Sequence, residues 1–141
     1  MTDSFMFPTQ VASEKQEFSW SWFLFSATGR ISRSDYWLRY FLPSIGVYFV
    51  FLLIVPKIGQ GHVVGVITII FIIFALYIAI AVSIKRWHDI DKSGWWILII
   101  FVPVIGGLWA LIENGFLVGN NGPNRFGPSR FPSKQDLNLI F

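Results

Sequence analysis

Three long apolar runs, separated by short polar stretches, dominate the pattern of the chain. They cover about residues 37–55, 63–84 and 95–112. Each is close to the ~20 residues that an α-helix needs to cross a ~30 Å hydrocarbon core. None has a polar stripe at the helical period, so a surface helix of a soluble domain fits poorly. We therefore predict an all-α fold, a polytopic membrane bundle of three transmembrane helices.

The composition supports this interpretation. Apolar residues make up 54% of the 141 residues and charged residues only 13%, against roughly 25% charged in ordinary soluble domains. Three buried helices in so small a soluble protein would leave too little polar exterior. The chain has no cysteine, which excludes disulfides, thiolate zinc sites and iron–sulfur clusters. We expect no cofactor.

The pattern divides the chain into three parts. Residues 1–17 form a polar N-terminal tail without the apolar core of a signal peptide, residues 18–118 a membrane domain, and residues 119–141 a tail rich in Gly, Pro and Asn. Within the second part, residues 18–30 (FSWSWFLFSATGR) are too short in apolar content to cross a bilayer. We expect an interfacial segment there, with a cap folded against the helix ends as the alternative.

The first helix is expected to begin near Ser32. Asp35 follows three residues later, a variant of the capping box, and precedes Arg39 by four residues, the favoured order for a helical ion pair. Pro43 predicts a kink in this helix.

The distribution of basic residues predicts the orientation. Basic residues are frequent before the first run and in the loop at residues 85–94, whereas the link between the first two runs has only Lys57. The positive-inside rule then places the N-terminus and the 85–94 loop in the cytoplasm. Three crossings put the tail outside, although it carries Arg125, Arg130 and Lys134.

Two arrangements of the third run remain open. The first loops usually set orientation, which favours three full crossings. Alternatively, the break at Pro103, Gly106 and Gly107 makes the third run re-entrant and returns the tail to the cytoplasm, provided that protein buries the broken backbone. Glu113, at the end of this run, is expected to be a solvated residue.

The polar loop between the second and third runs holds the richest chemistry. Lys85 and Arg86 suit the end of a helix and can reach lipid phosphates, and Ser93 can cap the next helix. Arg86, His88 and Asp89 remain, and a His beside an Asp is compatible with a general base. A structural cluster of ion pairs is the more common role of such charges, and no metal-binding pattern accompanies them.

Three motifs together resemble DUF805, a family of small bacterial inner-membrane proteins. They are GRISRSDYW before the first run, KRWHDIDKSGWW before the third, and GNNGPNRFGP in the tail. The resemblance implies a helical inner-membrane protein, and it supplies no established activity, ligand or catalytic residue. Where the family pattern resembles LHDIGKSGWW, this chain has Asp91 in place of the glycine.

Six polar residues of the first two motifs form the candidate functional or structural cluster. They would share one membrane face in the predicted topology, and we expect Asp35 or Asp89 to pair with an arginine of the other motif. The six are Arg30, Arg33, Asp35, Arg86, His88 and Asp89.

The sequence favours a non-enzymatic role as an accessory or assembly subunit of a larger membrane complex. An oligomeric transporter is the first alternative, although mid-span positions offer only Ser44, Thr68 and Tyr77. A protein acting on lipid headgroups through the Arg86, His88 and Asp89 side chains is the second. Expected partners are the anionic bilayer surface and a membrane protein or a second copy. Nucleic acid is not expected, because the basic residues border apolar runs.

Overall fold

The computed structural model describes residues 18–59 and 61–128. The predicted N-terminal tail at residues 1–17, and Arg130 and Lys134 of the C-terminal tail, lie outside the described residues. Within them, every regular element is helical, which confirms the all-α prediction. The elements are α1 (Trp20–Phe25), α2 (Arg33–Asp35), a π-helical segment (Tyr36–Phe41), α3 (Leu42–Ile58), α4 (His62–Asp89), a 3-10 helix (Gly94–Phe101) and α5 (Ile105–Phe116).

Two helical units are long and apolar enough to cross a membrane. The first, Arg33–Ile58, joins α2, the π-helical segment and α3, and the second is α4. The most apolar window of each is 0% buried inside the protein, whereas the core helix of a soluble protein would be covered. These faces therefore need an apolar surrounding, which a bilayer supplies. The first two predicted runs lie within these units.

The start of the first long helix agrees with the sequence pattern. The Ser32 side chain accepts a hydrogen bond from the Asp35 backbone N–H, and the Asp35 carboxylate accepts one from the Ser32 N–H, so the predicted capping box is confirmed. Asp35 also forms the predicted ion pair with Arg39. The π-helical turns end just before Pro43, whose missing N–H prevents a regular α-helical bond at that point.

The third apolar run is not a continuous helix. It forms the 3-10 helix Gly94–Phe101 and the helix α5, Ile105–Phe116, which are joined by a short bend. At typical rises, the 3-10 helix is about 16 Å long and α5 about 18 Å. Each is about half of what a ~30 Å hydrocarbon core requires. The structure therefore does not confirm the third full crossing, and the hairpin agrees with the re-entrant alternative.

The two arms of this hairpin begin and end at the same place. Lys92, just before the 3-10 helix, forms an ion pair with Glu113 near the end of α5. The Trp87 indole N–H of α4 also donates to Glu113, at 3.2 Å. We call this end of the bundle, where α2 begins and α4 and α5 end, the motif end.

A bend at Pro103 and Val104 and a close contact at Gly106 explain why the two arms of the hairpin come together. Pro103 lies in the bend, and Val104 has a φ of 64°, a strained value for a β-branched residue. A Cβ on Gly106 would lie 1.7 Å from the Ile99 carbonyl oxygen. Only a glycine lets the two arms approach this closely.

The short helix α1 packs against α4. Phe23 of α1 is fully buried together with Val82 of α4, and the Tyr77 hydroxyl donates to the Phe25 carbonyl oxygen at 2.8 Å. The sequence FSWSWFLF thus forms a short segment that packs on a long helix. The interfacial position of this segment stays a prediction.

Candidate functional site

The site is built around Arg30, which is 3% exposed. All five N–H donors of its guanidinium have acceptors. Its Nε donates to the Asp89 carboxylate at 3.1 Å, and one Nη also reaches the Asp89 carbonyl at 3.4 Å. The other three bonds go to carbonyl oxygens of the C-terminal tail, those of Asn120 at 2.7 Å, Gly122 at 2.8 Å and Gly127 at 3.2 Å.

Asp89 joins Arg30 to a second buried guanidinium. Its other carboxylate oxygen accepts from Arg86 Nη1 at 2.7 Å. Arg86 is fully buried, and its Nε donates to the Asn114 carbonyl oxygen at 2.7 Å. A further Arg86 N–H donates to the Leu117 carbonyl oxygen. Arg30, Arg86 and Asp89 are hereafter called the charged cluster.

The charged cluster connects four parts of the chain. Arg30 belongs to the segment before the first long helix, and Arg86 and Asp89 end α4. Their hydrogen bonds hold the end of α5 and the tail. Two positive charges face one carboxylate, and the backbone carbonyl dipoles supply the remaining negative potential. Such a network stabilises a fold only if it stays complete, because an unpaired buried charge is costly.

The tail approaches the cluster more closely than any side chain would permit. A Cβ added at Gly119 would lie 1.8 Å from Asp89 Oδ2, inside contact distance. The next residue, Asn120, donates its backbone N–H to the Asp89 carbonyl oxygen at 2.8 Å. The first glycine of the GNNGPNRFGP motif is therefore explained by close backbone approach.

Three of the six predicted candidates lie outside the charged cluster. Asp35 bonds with Ser32 and Arg39 of its own helix. Arg33 is exposed and one of its N–H groups is 3.4 Å from the Phe116 carbonyl oxygen. The pairing between the two motifs is made by Arg30 and Asp89.

His88 has a packing role beside the cluster. Its Nδ1 lies 3.2 Å from the Gly29 carbonyl oxygen, and its ring stacks on Phe126 with centroids 3.8 Å apart. Asn124 of the tail donates to the His88 carbonyl oxygen at 2.7 Å. The imidazole thus fastens the tail to the end of α4.

Three buried charges differ from the sequence-based expectation. Lys85 is fully buried and donates to the Trp22 and Phe23 carbonyl oxygens, so it holds the end of α1 instead of reaching lipid phosphates. Arg86 is likewise directed inward. Glu113, expected to be solvated, is 5% exposed because Lys92 and Trp87 bond to it. The sequence offered no signal for these partners, since they come from distant segments.

Asp91 stands where the expected family pattern has glycine. Its φ is 59°, the left-handed region, which glycine adopts freely and aspartate tolerates better than most residues. Its carboxylate lies 3.3 Å from Arg125, and both side chains are largely exposed. The substitution therefore keeps the turn and adds only a surface ion pair.

The chemistry available at the motif end is that of a structural network. Among the described residues, no group of three His, Cys, Asp or Glu side chains is arranged to hold a metal ion. The charged cluster directs its donors and acceptors at other parts of the same chain. Its arrangement can fix segments in place.

The chain is similar to proteins named as inner membrane proteins, which agrees with its two long apolar helices. Inner membrane protein YhaH of Escherichia coli K12 is 36% identical over 102 residues, which cover 71% of this chain and 83% of YhaH. Inner membrane protein YhaI of the same strain is 31% identical over 102 residues, covering 71% and 81%. YiiR of that strain, described as an uncharacterized protein, is 29% identical over 129 residues, covering 74% and 85%. No solved structure matches the chain.

A family model also matches, over residues 24–128, with the description "Protein of unknown function (DUF805)". The match includes all three motifs that meet at the charged cluster, and it confirms the resemblance seen in the sequence. The chain belongs to the DUF805 family.

Proposed function

We propose that the chain is a multi-pass protein of the bacterial inner membrane that serves as a non-enzymatic accessory or assembly subunit of a larger membrane complex. One observation carries the proposal. All five donors of Arg30 and both carboxylate oxygens of Asp89 are bonded within the chain. Side chains whose hydrogen-bonding groups are bonded within the chain hold its segments together and are less able to bind a substrate.

The orientation proposed for the chain has the motif end in the cytoplasm. Every described Lys and Arg except Lys57 lies toward the motif end, and Lys57 lies near the opposite end of α3. The positive-inside rule favours this arrangement. A re-entrant hairpin would also accommodate the basic tail, since Arg125 pairs with Asp91 at the motif end.

The transporter alternative has less support. The three hydroxyl groups that the sequence pattern singled out within the spans have intramolecular acceptors at 2.8 Å. Ser44 donates to the Phe41 carbonyl oxygen, Thr68 to that of Val64, and Tyr77 to that of Phe25. A transport pathway needs polar groups directed at a passing solute.

Purification in its native membrane context tests the accessory role. We expect the tagged chain, extracted in a mild detergent, to return with another membrane protein in a fixed molar ratio. Compared at equal protein level, His88→Gln should keep the partner and complement a deletion strain as well as the wild-type chain does, although loss of the ring that stacks on Phe126 should lower its yield. Glutamine stays polar but cannot transfer protons as imidazole does.

Two results would contradict this role. Recovery of the chain alone, or only with further copies of itself, would favour the oligomeric alternative. Loss of complementation by His88→Gln at normal protein level and with normal partner recovery would favour chemistry at lipid headgroups.

A further inference from the structure

A half-open apolar groove lies between α1, α3 and the middle of α4, away from the charged cluster. Its volume is about 360 Å³, within the ~300–1,000 Å³ of ordinary ligand pockets. Leu24 lines it from α1, Val47 from α3 and Ala75 from α4.

The groove has an aromatic end and a cationic end. At the aromatic end, Phe51 stacks on Phe71 with centroids 3.8 Å apart, and Tyr48 meets the edge of Phe71. At the other end, toward the motif end, Arg39 contributes to the lining. Its side chain is 43% exposed, and its guanidinium lies 4.3 Å from the centre of the Phe18 ring.

The length of the groove matches one leaflet. Arg39 and Tyr48 are nine positions apart (48 − 39) on one helical unit, which is about 13 Å at 1.5 Å per residue. Half of a ~30 Å hydrocarbon core is about 15 Å. The cationic end lies where lipid phosphates would be if the long helices cross the membrane.

We propose that this groove binds one acyl chain of an anionic phospholipid, with the lipid phosphate held by Arg39. The apolar walls accept the chain, and the guanidinium complements the phosphate, with which it can form two parallel hydrogen bonds. Asp35 already pairs with Arg39, but exposed pairs of this kind are weak. Asp35 keeps its bonds to Ser32 if the guanidinium turns toward a phosphate. The inference depends on the membrane location and not on the accessory role.

Native mass spectrometry of the detergent-purified full chain, with phosphatidylglycerol added, tests the site. We expect one bound lipid per chain. Ala75→Phe and Val47→Phe, which fill the groove from opposite walls, should each lower the bound fraction at least tenfold. Leu76→Phe, at an exposed neighbouring position outside the groove, is the matched control and should bind as the wild type does.

A second set of measurements tests the phosphate contact. Arg39→Gln should weaken phosphatidylglycerol binding several-fold, whereas Lys57→Gln should not. The wild-type chain should bind diacylglycerol of the same acyl composition at least tenfold more weakly, a comparison that needs no variant to fold.

Three outcomes would overturn the proposal. They are undiminished lipid binding by the variants that fill the groove, equal binding of diacylglycerol and phosphatidylglycerol, and a dimer of the wild-type chain that dissociates when the groove is filled. The last result would assign the groove to a second copy of the chain. Failure to find a protein partner would leave the lipid site unaffected.

Discussion

Replacement of Asp89 by asparagine is expected to lower the free energy of unfolding by about 3–5 kcal/mol, the usual cost of removing one partner from a buried ion pair. The substitution keeps the size of the side chain but leaves the Arg30 and Arg86 guanidiniums without a counter-charge. Their side chains are 1% and 0% exposed, so water cannot compensate. Equilibrium unfolding in a mild detergent, followed by circular dichroism, measures the change.

The matched control for Asp89 is Asp91→Asn, two residues along the chain. Asp91 pairs with Arg125 through side chains that are 47% and 60% exposed, and such pairs contribute about 0–1 kcal/mol. Asparagine also tolerates the left-handed backbone of this turn. If Asp89→Asn costs no more than Asp91→Asn, the charged cluster does not hold the fold together.

The second large effect is expected from one added methyl group. Gly119→Ala places a Cβ where the Asp89 carboxylate lies, 1.8 Å from Oδ2. Either Asp89 or the tail must move, and the bonds from Arg30 to the tail carbonyls are then weakened. We expect a loss of about 2–3 kcal/mol, at the upper end for overpacking, measured by the same unfolding experiment.

A control in the same tail separates this clash from a general effect of alanine. A Cβ added at Gly122 meets nothing within 4 Å, so Gly122→Ala should change the stability by less than about 0.5 kcal/mol, as surface substitutions generally do. Equal stability of the two variants would show that the tail does not rest against Asp89 in solution.

Local features of this chain could be predicted from sequence because their partners are three or four residues apart. Ser32, Asp35 and Arg39 are examples: the capping box and the ion pair need only a helix to form. The two long helical units also follow from length and apolarity alone. The motifs were found for the same reason, since each is a contiguous pattern.

Contacts between distant segments could be predicted only in part. The sequence suggested an arginine–aspartate pair between two motifs, but it could not choose Asp89 over Asp35. That choice depends on the direction in which α2 leaves the loop. Lys85 donates to backbone carbonyls of α1. Every residue has a backbone carbonyl, so the sequence does not indicate which of them a lysine will contact.

Hydropathy alone could not predict the structure of the third apolar run. The same residues would suit one crossing helix or two half-length helices, because both expose apolar side chains to lipid. Pro103 made a break possible, and Gly106 allowed the arms to approach. Contacts such as the ion pair between Lys92 and Glu113 show that the end of α5 returns to the level at which the 3-10 helix begins.

The motifs before the first long helix, at the end of α4 and in the tail meet at one end of the bundle, and their sidedness can be measured. Because the chain has no cysteine, single cysteines introduced at exposed positions can be labelled without background. Ser34→Cys and Asn121→Cys mark two of the motifs, and His62→Cys marks the opposite end. In spheroplasts, a membrane-impermeant maleimide should label His62→Cys at once, and Ser34→Cys and Asn121→Cys only after lysis. Labelling of Asn121→Cys in intact spheroplasts, with Ser34→Cys protected, would place the tail across the membrane from Arg30. The motifs could then not meet at one end of the bundle.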